Sequence, residues 1–206
     1  MEQNSEVLMN KSFLSVLACL MFCEGCVMGQ RIPYAHAPIG GVIIENSKAY
    51  SLSISVVDKR PYVLSGKKDA SFVGIFRAGF GDPWDAKTEG EIYLVEIIKR
   101  DLISDLQNAG FNIIENNAER QIIVIIHDYR FDCMSSCRIL YRLDVKINDN
   151  TGNVIHTKII DERKDTQTIR YSSAWDYMKK EMPTIHANII RDIIRNDSNA
   201  MAVLGR

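Results

Sequence analysis

The pattern that decides the fold lies in residues 139–162, ILYRLDVKINDNTGNVIHTKIIDE. Residues 139–147 alternate between apolar and polar side chains, which is the pattern of a β-strand with one wet face. The turn-forming run at residues 148–153 follows. Residues 154–162 can then pair back as the second arm of a hairpin. The stretch therefore predicts an antiparallel hairpin as the base of a sheet.

Three further stretches have the composition of strands. Residues 50–56 place Tyr, Leu, Ile and Val between serines, which predicts a half-buried strand. Residues 122–126 are apolar on both faces, so this strand should be central and covered on both sides, or lie at one edge of a helix layer. Residues 111–115 are typical of a short strand.

Two amphipathic helices are predicted. Thr88 and Glu91 have the spacing of a capping box, and Gly110 can end the helix in a left-handed conformation. The apolar face of this helix consists of Ile92, Val95, Ile98, Leu102 and Leu106. A second helix begins with a capping-box-like start at residues 173–176, and Pro183 should kink it or divide it in two. Its apolar residues recur at helical spacing, and they are Trp175, Met178, Met182, Ile185, Ile189 and Ile193.

These elements predict one α+β domain over residues 48–206. We expect a mixed or antiparallel sheet of about five strands with two helices packed on one face. A chain of 206 residues fits one domain better than two. Its net charge of −1 gives no electrostatic footprint for nucleic acid.

Residues 59–88 have no convincing period and are expected to form a long loop, a feature that is often functional. Exposed aromatic residues beside an arginine are typical of partner-binding surfaces. The candidate partner-binding residues in this loop are Phe72, Ile75, Phe76, Arg77, Phe80 and Trp84. Two alternatives stay open: the same side chains complete the core beneath the helix, or they insert into lipid beside a membrane anchor.

The N-terminal segment has the features of an export signal. The apolar run at residues 12–23 is shorter than the roughly 20 residues that span a bilayer. It has the length of a signal-peptide core, with Lys11 as a basic flank. Because Glu2 and Glu6 spoil that flank, Met1 and Met9 are both possible starts.

The run ends in Cys23-Glu24-Gly25-Cys26, which resembles a bacterial lipobox. The resemblance implies a signal peptide at residues 1–25, acyl chains such as palmitate on Cys26, and a tether at residues 26–47. Val27 then favours the outer membrane. An ordinary cleaved signal peptide, acylation at Cys19 and a buried core helix are the alternatives. No cofactor is expected apart from this covalent lipid.

Several short motifs resemble the YajG-type envelope lipoproteins over roughly residues 50–200. They are Val56-Val-Asp58-Lys-Arg60, Asn108-Ala-Gly110-Phe111 and the segments at residues 72–77 and 79–83. The resemblance implies a non-enzymatic envelope role, similar in layout to auxiliary lipoproteins of transport systems and accessory lipoproteins of wall synthesis. It supplies no catalytic residues.

Cys133 and Cys137 lie between two predicted strands, and an exported protein is oxidised, so the spacing favours a disulfide between them. Free thiols and a metal or redox pair are the alternatives. The four histidines are scattered and are expected to be structural. Acidic residues around Trp84 are a weak indication of a cation, and no metal site is expected.

Two functions fit this pattern. The first is a membrane-anchored accessory or interaction subunit of an envelope assembly, with an envelope protein as its partner. The second is a periplasmic carrier or receptor for a small apolar or wall-derived ligand, with a pocket between sheet and helices near Trp175 and Met178. No nucleophile elbow or phosphate-binding loop occurs in the sequence, so an enzyme is not expected.

Overall fold

The computed structural model describes residues 30–34, 50–77, 83–166 and 174–205. The predicted signal peptide and the predicted lipidation site Cys26 lie outside the described residues. Most of the predicted tether at residues 26–47 does too. Within it, however, Gln30–Ile32 forms a strand, and Ile32 and Tyr34 are buried. The structure differs from a tether at these residues because their apolar side chains pack into the core.

The described residues form an α+β fold, as predicted, with seven strands rather than about five. The strands are β1 (Gln30–Ile32), β2 (Leu52–Asp58), β3 (Phe72–Arg77), β4 (Pro83–Thr88), β5 (Arg120–Cys133), β6 (Cys137–Asp149) and β7 (Val154–Asp165). The helices are α1 (Pro61–Leu64), α2 (Leu94–Asn108), α3 (Ala174–Ile193) and α4 (Ser198–Val203), with a short 3₁₀ turn at Glu89–Glu91.

Strand β5 is the centre of the sheet, as the apolar run at residues 122–126 predicts. The sheet order is β1-β4-β3-β5-β6-β7, and β2 also pairs with β5. β6 pairs antiparallel with β5 along its whole length. β2 and β3 both run parallel to β5, the first beside residues 120–126 and the second beside residues 131–133. β2 and β3 therefore lie end to end along the same edge of β5.

A bulge in β5 keeps its apolar side chains on one face. The pairing with β6 shifts between Ile126 and Asp128, which leaves one extra residue in β5. Before the bulge Ile122, Val124 and Ile126 are buried, and after it Tyr129, Phe131 and Cys133 are buried. We call this buried side the inner face. The opposite side is the outer face.

The predicted loop at residues 59–88 is wrong, because most of it forms α1, β3 and β4. β3 and β4 make an antiparallel hairpin whose register shifts between Phe72 and Gly74. Gly74 lies so close to Phe131 that a Cβ atom there would meet its ring and carbonyl oxygen at 2.6 Å. The hairpin thus carries neither a clean two-residue period nor a helical one, so periodicity does not reveal it.

Arg60 is fully buried at the break between β2 and β3. Its Nε and Nη2 atoms donate to the two carboxylate oxygens of Asp58, at 2.9 and 2.7 Å. Nη2 also donates to the carbonyl of Ala70 at 2.8 Å, and Nη1 donates to that of Phe72 at 2.6 Å. One guanidinium therefore joins the end of β2 to the start of β3.

Helix α2 starts later than the predicted capping box. Gly90 and Glu91 have φ angles of +70° and +55°, which are incompatible with a right-handed helix. The Thr88 hydroxyl donates instead to the carbonyl of Ile92 at 2.5 Å, and the helix begins at Leu94 without a side-chain cap. Its predicted end is confirmed, because Gly110 has a φ of +85° and the Phe111 N–H donates to the Leu106 carbonyl.

Helix α3 runs through Pro183 as one helix, so of the two predicted effects of this proline, a kink or a division in two, the division is wrong. Its inner side includes Met178, Met182 and Ile189, all of which are buried. Ser173 of the predicted capping box lies outside the described residues. The predicted strand at residues 111–115 is also wrong, since only a single bridge joins Ile113 to Leu52.

A buried polar chain connects the two long helices to the sheet. His186 of α3 lies 3.0 Å from Asp101 of α2 through Nε2 and 2.8 Å from the Tyr129 hydroxyl of β5 through Nδ1. Although burial acts to raise it, hydrogen bonds from His186 and Arg100 hold the pKa of Asp101 below its ordinary value. Asp101 therefore stays ionised in the folded protein and fixes the position of α3.

We expect Arg60→Met to destabilise the protein by about 3–5 kcal/mol, because it leaves the Asp58 carboxylate and two carbonyls without their donor. Urea unfolding measures the loss. Arg142→Met is the matched control, since that side chain is 54% exposed and 3.9 Å from its partner Asp161. The control should change stability by less than about 0.5 kcal/mol. Equal losses in both variants would contradict the role given to Arg60.

We expect Asp101→Asn to cost about 1.5–3 kcal/mol near neutral pH, since it removes a buried charge-assisted hydrogen bond. A lowered carboxyl pKa stabilises the fold above the ordinary Asp value of about 3.9, and this contribution is lost as the pH falls through the folded value. The difference between wild type and variant should therefore be constant above about pH 5 and shrink between about pH 5 and pH 3. Unfolding midpoints of both proteins across this range check the trend, with the exposed Asp161→Asn as control. A difference independent of pH would rule it out.

Candidate partner-binding site

The outer face of the sheet carries a pocket of about 410 Å³, which we call the outer pocket. Strands β3, β5 and β6 form its floor, and the segment between β2 and β3 forms one wall. Its cationic lining residues are Lys68, Arg77, Arg130 and Arg138, and its acidic one is Asp132. The remaining lining residues are Tyr62, Phe72, Ile75, Pro83, Phe131 and Leu140. The pocket thus combines an apolar floor with four cations, each of which is paired with a carboxylate.

Strand alternation explains why these side chains meet. After the bulge, Arg130 and Asp132 alternate with the buried residues of β5 and therefore point outward. Arg138 and Leu140 of β6 alternate in the same way with buried Cys137 and Ile139. The antiparallel register sets Arg138 directly opposite Asp132. Ile75 of β3 is paired with Asp132 on the other side, which completes the floor.

Arg77 and Asp132 form the most ordered ion pair of the outer pocket. The Nε and Nη2 atoms of Arg77 each donate to one carboxylate oxygen of Asp132 at 2.8 Å, which is the two-point geometry of a strong pair. This hydrogen bonding lowers the pKa of Asp132 and raises the pKa of Arg77. Both side chains therefore keep their charge at physiological pH.

A second depression of about 460 Å³ adjoins the outer pocket and shares Tyr62 and Arg130 with it. His127 and Arg142 also line it. The Tyr62 hydroxyl donates to Asp128 at 3.0 Å, and burial raises the pKa of this phenol. Tyr62 is therefore neutral at physiological pH, and it divides the two depressions.

The predicted partner-binding residues are only partly brought together. Phe72, Ile75 and Arg77 line the outer pocket. Phe76 points into the core, where its ring packs 5.0 Å from Phe131 and 5.4 Å from Trp175. Trp84 is 41% exposed but is not part of the pocket lining. The last predicted residue, Phe80, lies outside the described residues.

The sequence prediction missed the pocket residues that come from other strands. Arg130, Arg138 and Leu140 are about 60 residues away from β3 in the chain. The strand predicted at residues 139–147 has a solvent-exposed face, and Leu140 lies on that face, so the pattern could have marked Leu140 as a candidate. No signal showed which other strand would lie beside it.

Cys133 and Cys137 are joined by a disulfide at the end of the β5–β6 hairpin, next to the outer pocket. Both are fully buried. The Thr166 N–H donates to the Cys137 carbonyl at 2.8 Å, and the Cys137 N–H donates to the Thr166 hydroxyl at 2.9 Å. The bridge and these bonds hold the ends of β5, β6 and β7 together beside the pocket.

The described histidines each lie beside a carboxylate. His127 lies 2.8 Å from Asp144, and His156 lies 3.2 Å from Asp197. His36 is outside the described residues. Where the structure describes the chain, no three His, Cys, Asp or Glu side chains are grouped closely enough to hold a metal ion. In the same parts of the chain, no helix is both long and apolar enough to cross a membrane.

Comparison with solved structures shows that this fold also occurs in another protein. No family model matches the sequence, and no curated protein matches it. A Xanthomonas campestris protein of the DUF330 family has the same fold, with 7% identity, 77% of this chain and 91% of that chain covered, and a TM-score of 0.54. At this identity the likeness shows the fold alone.

Two further solved structures are less similar. A hypothetical protein from Chlamydia trachomatis is 13% identical over 74% of this chain and 99% of its own, with a TM-score of 0.42. A minor lipoprotein from Acinetobacter baumannii is 11% identical over 69% of this chain and 91% of its own, with a TM-score of 0.36. Scores this low carry no argument about this chain.

Proposed function

We propose that the chain is an acylated lipoprotein of the bacterial cell envelope and a non-enzymatic interaction subunit of an envelope assembly concerned with transport or the cell wall. The N-terminal apolar run and the lipobox-like Cys23-Glu24-Gly25-Cys26 support the anchor, with Cys26 carrying acyl chains such as palmitate. Val27 favours the outer membrane. The short motifs that resemble YajG-type lipoproteins support the same role.

The outer pocket is the observation that carries the interaction role. It combines apolar Ile75 and Leu140 with four cations, and interaction sites commonly join an apolar centre to charged and arginine-rich surroundings. Its ion pairs also suit binding better than acid–base catalysis. Asp132 stays ionised because its pKa is lowered, and Tyr62 stays neutral because its pKa is raised. Neither side chain exchanges a proton near neutral pH.

The second candidate function is a carrier or receptor for a small ligand. The volume of the outer pocket, about 410 Å³, falls in the range of roughly 300–1,000 Å³ that is typical of small-molecule sites. For this candidate function, the ligand site would be the outer pocket and not the pocket that the sequence predicts between the sheet and the helices. Met178 is fully buried and Trp175 packs against Phe76, so side chains occupy the space near them.

We expect the mature protein from a Gram-negative host to begin at Cys26 and to carry added acyl mass. Cys26→Ala should abolish that mass, and Cys19→Ala, the matched control, should leave it unchanged. Intact-mass spectrometry of the three proteins makes the comparison. Loss of the acyl mass in Cys19→Ala, or an unacylated wild type, would refute the anchor.

We expect a photoreactive amino acid at Leu140, in the outer pocket, to cross-link to a protein in intact cells. The same amino acid at Lys146, farther along the outer face of β6, is the control and should give little adduct. Mass spectrometry of the adducts distinguishes the two functions, since a protein-sized adduct supports the interaction subunit and a small-molecule adduct supports the carrier. Equal labelling at both positions, or none, would contradict a site in the outer pocket.

A further inference from the structure

We propose that two copies of this chain pair antiparallel through β7, about a two-fold axis at Ile159, to form one continuous sheet. β7 ends the sheet order, and within the described part of the chain no strand lies on its other side. It is 12 residues long and mostly exposed. A long edge strand with apolar side chains is a template for pairing with another chain.

The hydrogen-bonding groups that β7 leaves free can be identified from its pairing with β6. The Thr166 N–H donates to the Cys137 carbonyl, so this residue pair is a hydrogen-bonded one. The register continues without a shift from Arg138 opposite Asp165 to Ile147 opposite His156. Because bonded pairs alternate in antiparallel strands, the odd-numbered residues from Thr157 to Asp165 direct their N–H and C=O groups away from β6. These are the groups that a second copy can bind.

The same odd-numbered residues place their side chains on the outer face, because Ile160 belongs to the inner one. One of them is the exposed isoleucine Ile159, at 61%, whereas Ile155, at 37%, lies at the register shift of β7. A two-fold axis perpendicular to the sheet sets outer-face residues of one copy against outer-face residues of the other. Pairing centred on Ile159 then covers the most exposed apolar side chain of the strand with its own copy.

Repulsion between like charges selects this register. Centred on Ile159, pairing sets Thr157 opposite Asp161 and His156 opposite Glu162, and it opposes no two like charges. A two-fold axis at a neighbouring residue would give a less stable pairing, because like charges that face each other across two strands are destabilising. A centre at Lys158, Asp161 or Glu162 opposes that residue to its own copy, and a centre at Ile160 sets His156 against Lys164.

Charged residues on an edge strand usually prevent pairing. In the register centred on Ile159 no two like charges face each other, so here the charges permit one pairing with a second copy and oppose its neighbours. The inner side of β7 is already held by the C-terminal segment, through His156 to Asp197 and Lys158 to the Asp192 carbonyl. These contacts fix the strand and leave its outer edge free for a second copy.

Ile159→Cys tests the geometry in the full-length chain under mild oxidation. The two cysteines would form a directly opposite, hydrogen-bonded pair with Cα atoms about 5.5 Å apart, which suits a disulfide. Tryptic mass spectrometry should find the peptide of residues 159–163 linked to itself. Ile155→Cys is the control, because this residue lies at the register shift, away from the axis, and should not link to itself.

The energetic test uses one substitution at the two isoleucines and measures dimerisation by sedimentation. Ile159→Glu opposes two carboxylates at the axis and should weaken the dimer by about tenfold or more. Ile155→Glu places its carboxylate away from the axis, at the register shift, and should leave the affinity unchanged. A protein that is monomeric at all concentrations, equal cross-linking at both positions, or an unchanged Ile159→Glu dimer would overturn the proposal. Any other partner on β7 would appear as a monomer in these experiments.

Discussion

The sheet depends on one buried guanidinium. β2 and β3 run parallel along the same edge of β5, but the chain leaves that edge between them to form α1. Arg60 closes the break by binding Asp58 at the end of β2 and two carbonyls at the start of β3. The planar fork of arginine can reach a carboxylate and carbonyls at once, whereas a lysine ammonium is a single point of charge. The motif Val56-Val-Asp58-Lys-Arg60 is therefore a structural device in this chain.

The break in the sheet also creates the candidate site. The segment that leaves the edge supplies Tyr62 and Lys68 to the wall of the outer pocket. The bulge of β5 lies beside this break, where the Lys59 N–H donates to the Ile126 carbonyl and the Tyr62 hydroxyl donates to Asp128. An uninterrupted strand along β5 would leave a flat outer face. Interruption and bulge together give that face its concavity.

The sequence predicts the elements whose side chains follow a single period. The hairpin of β6 and β7, the strand β2 and the end of α2 at Gly110 follow from alternation, helical spacing and a glycine stop. β3 and β4 could not be predicted in this way, because the register shift near Gly74 disrupts their alternation. The start of α2 was misplaced, because the backbone at Gly90 and Glu91 is left-handed where the capping-box spacing suggests a helix.

The sequence could predict only those residues of the candidate site that lie in one continuous segment of the chain. Phe72, Ile75 and Arg77 stand in an aromatic, arginine-containing stretch, and all three line the outer pocket. Arg130 and Arg138 reach it from strands whose position depends on the parallel pairing of β3 with β5. Parallel strands are joined by a long crossover connection, so their pairing has no local sequence pattern such as the turn of a hairpin. Residues contributed across such a pairing can be found only from the fold.

The inner face, the outer face and the edge of this sheet can serve three separate contacts. Alternation directs inner side chains to the helices and outer side chains to the pocket, while edge pairing uses backbone groups. Because the register of β7 shifts at Ile155, regular pairing centred on Ile159 spans residues 156–162, so Asp165, which holds Arg138 beside the pocket, stays outside it. Because the two copies would run antiparallel, their outer pockets would lie at opposite ends of one shared face. A partner with two matching segments could then engage both pockets, and the second contact would form at a raised effective concentration.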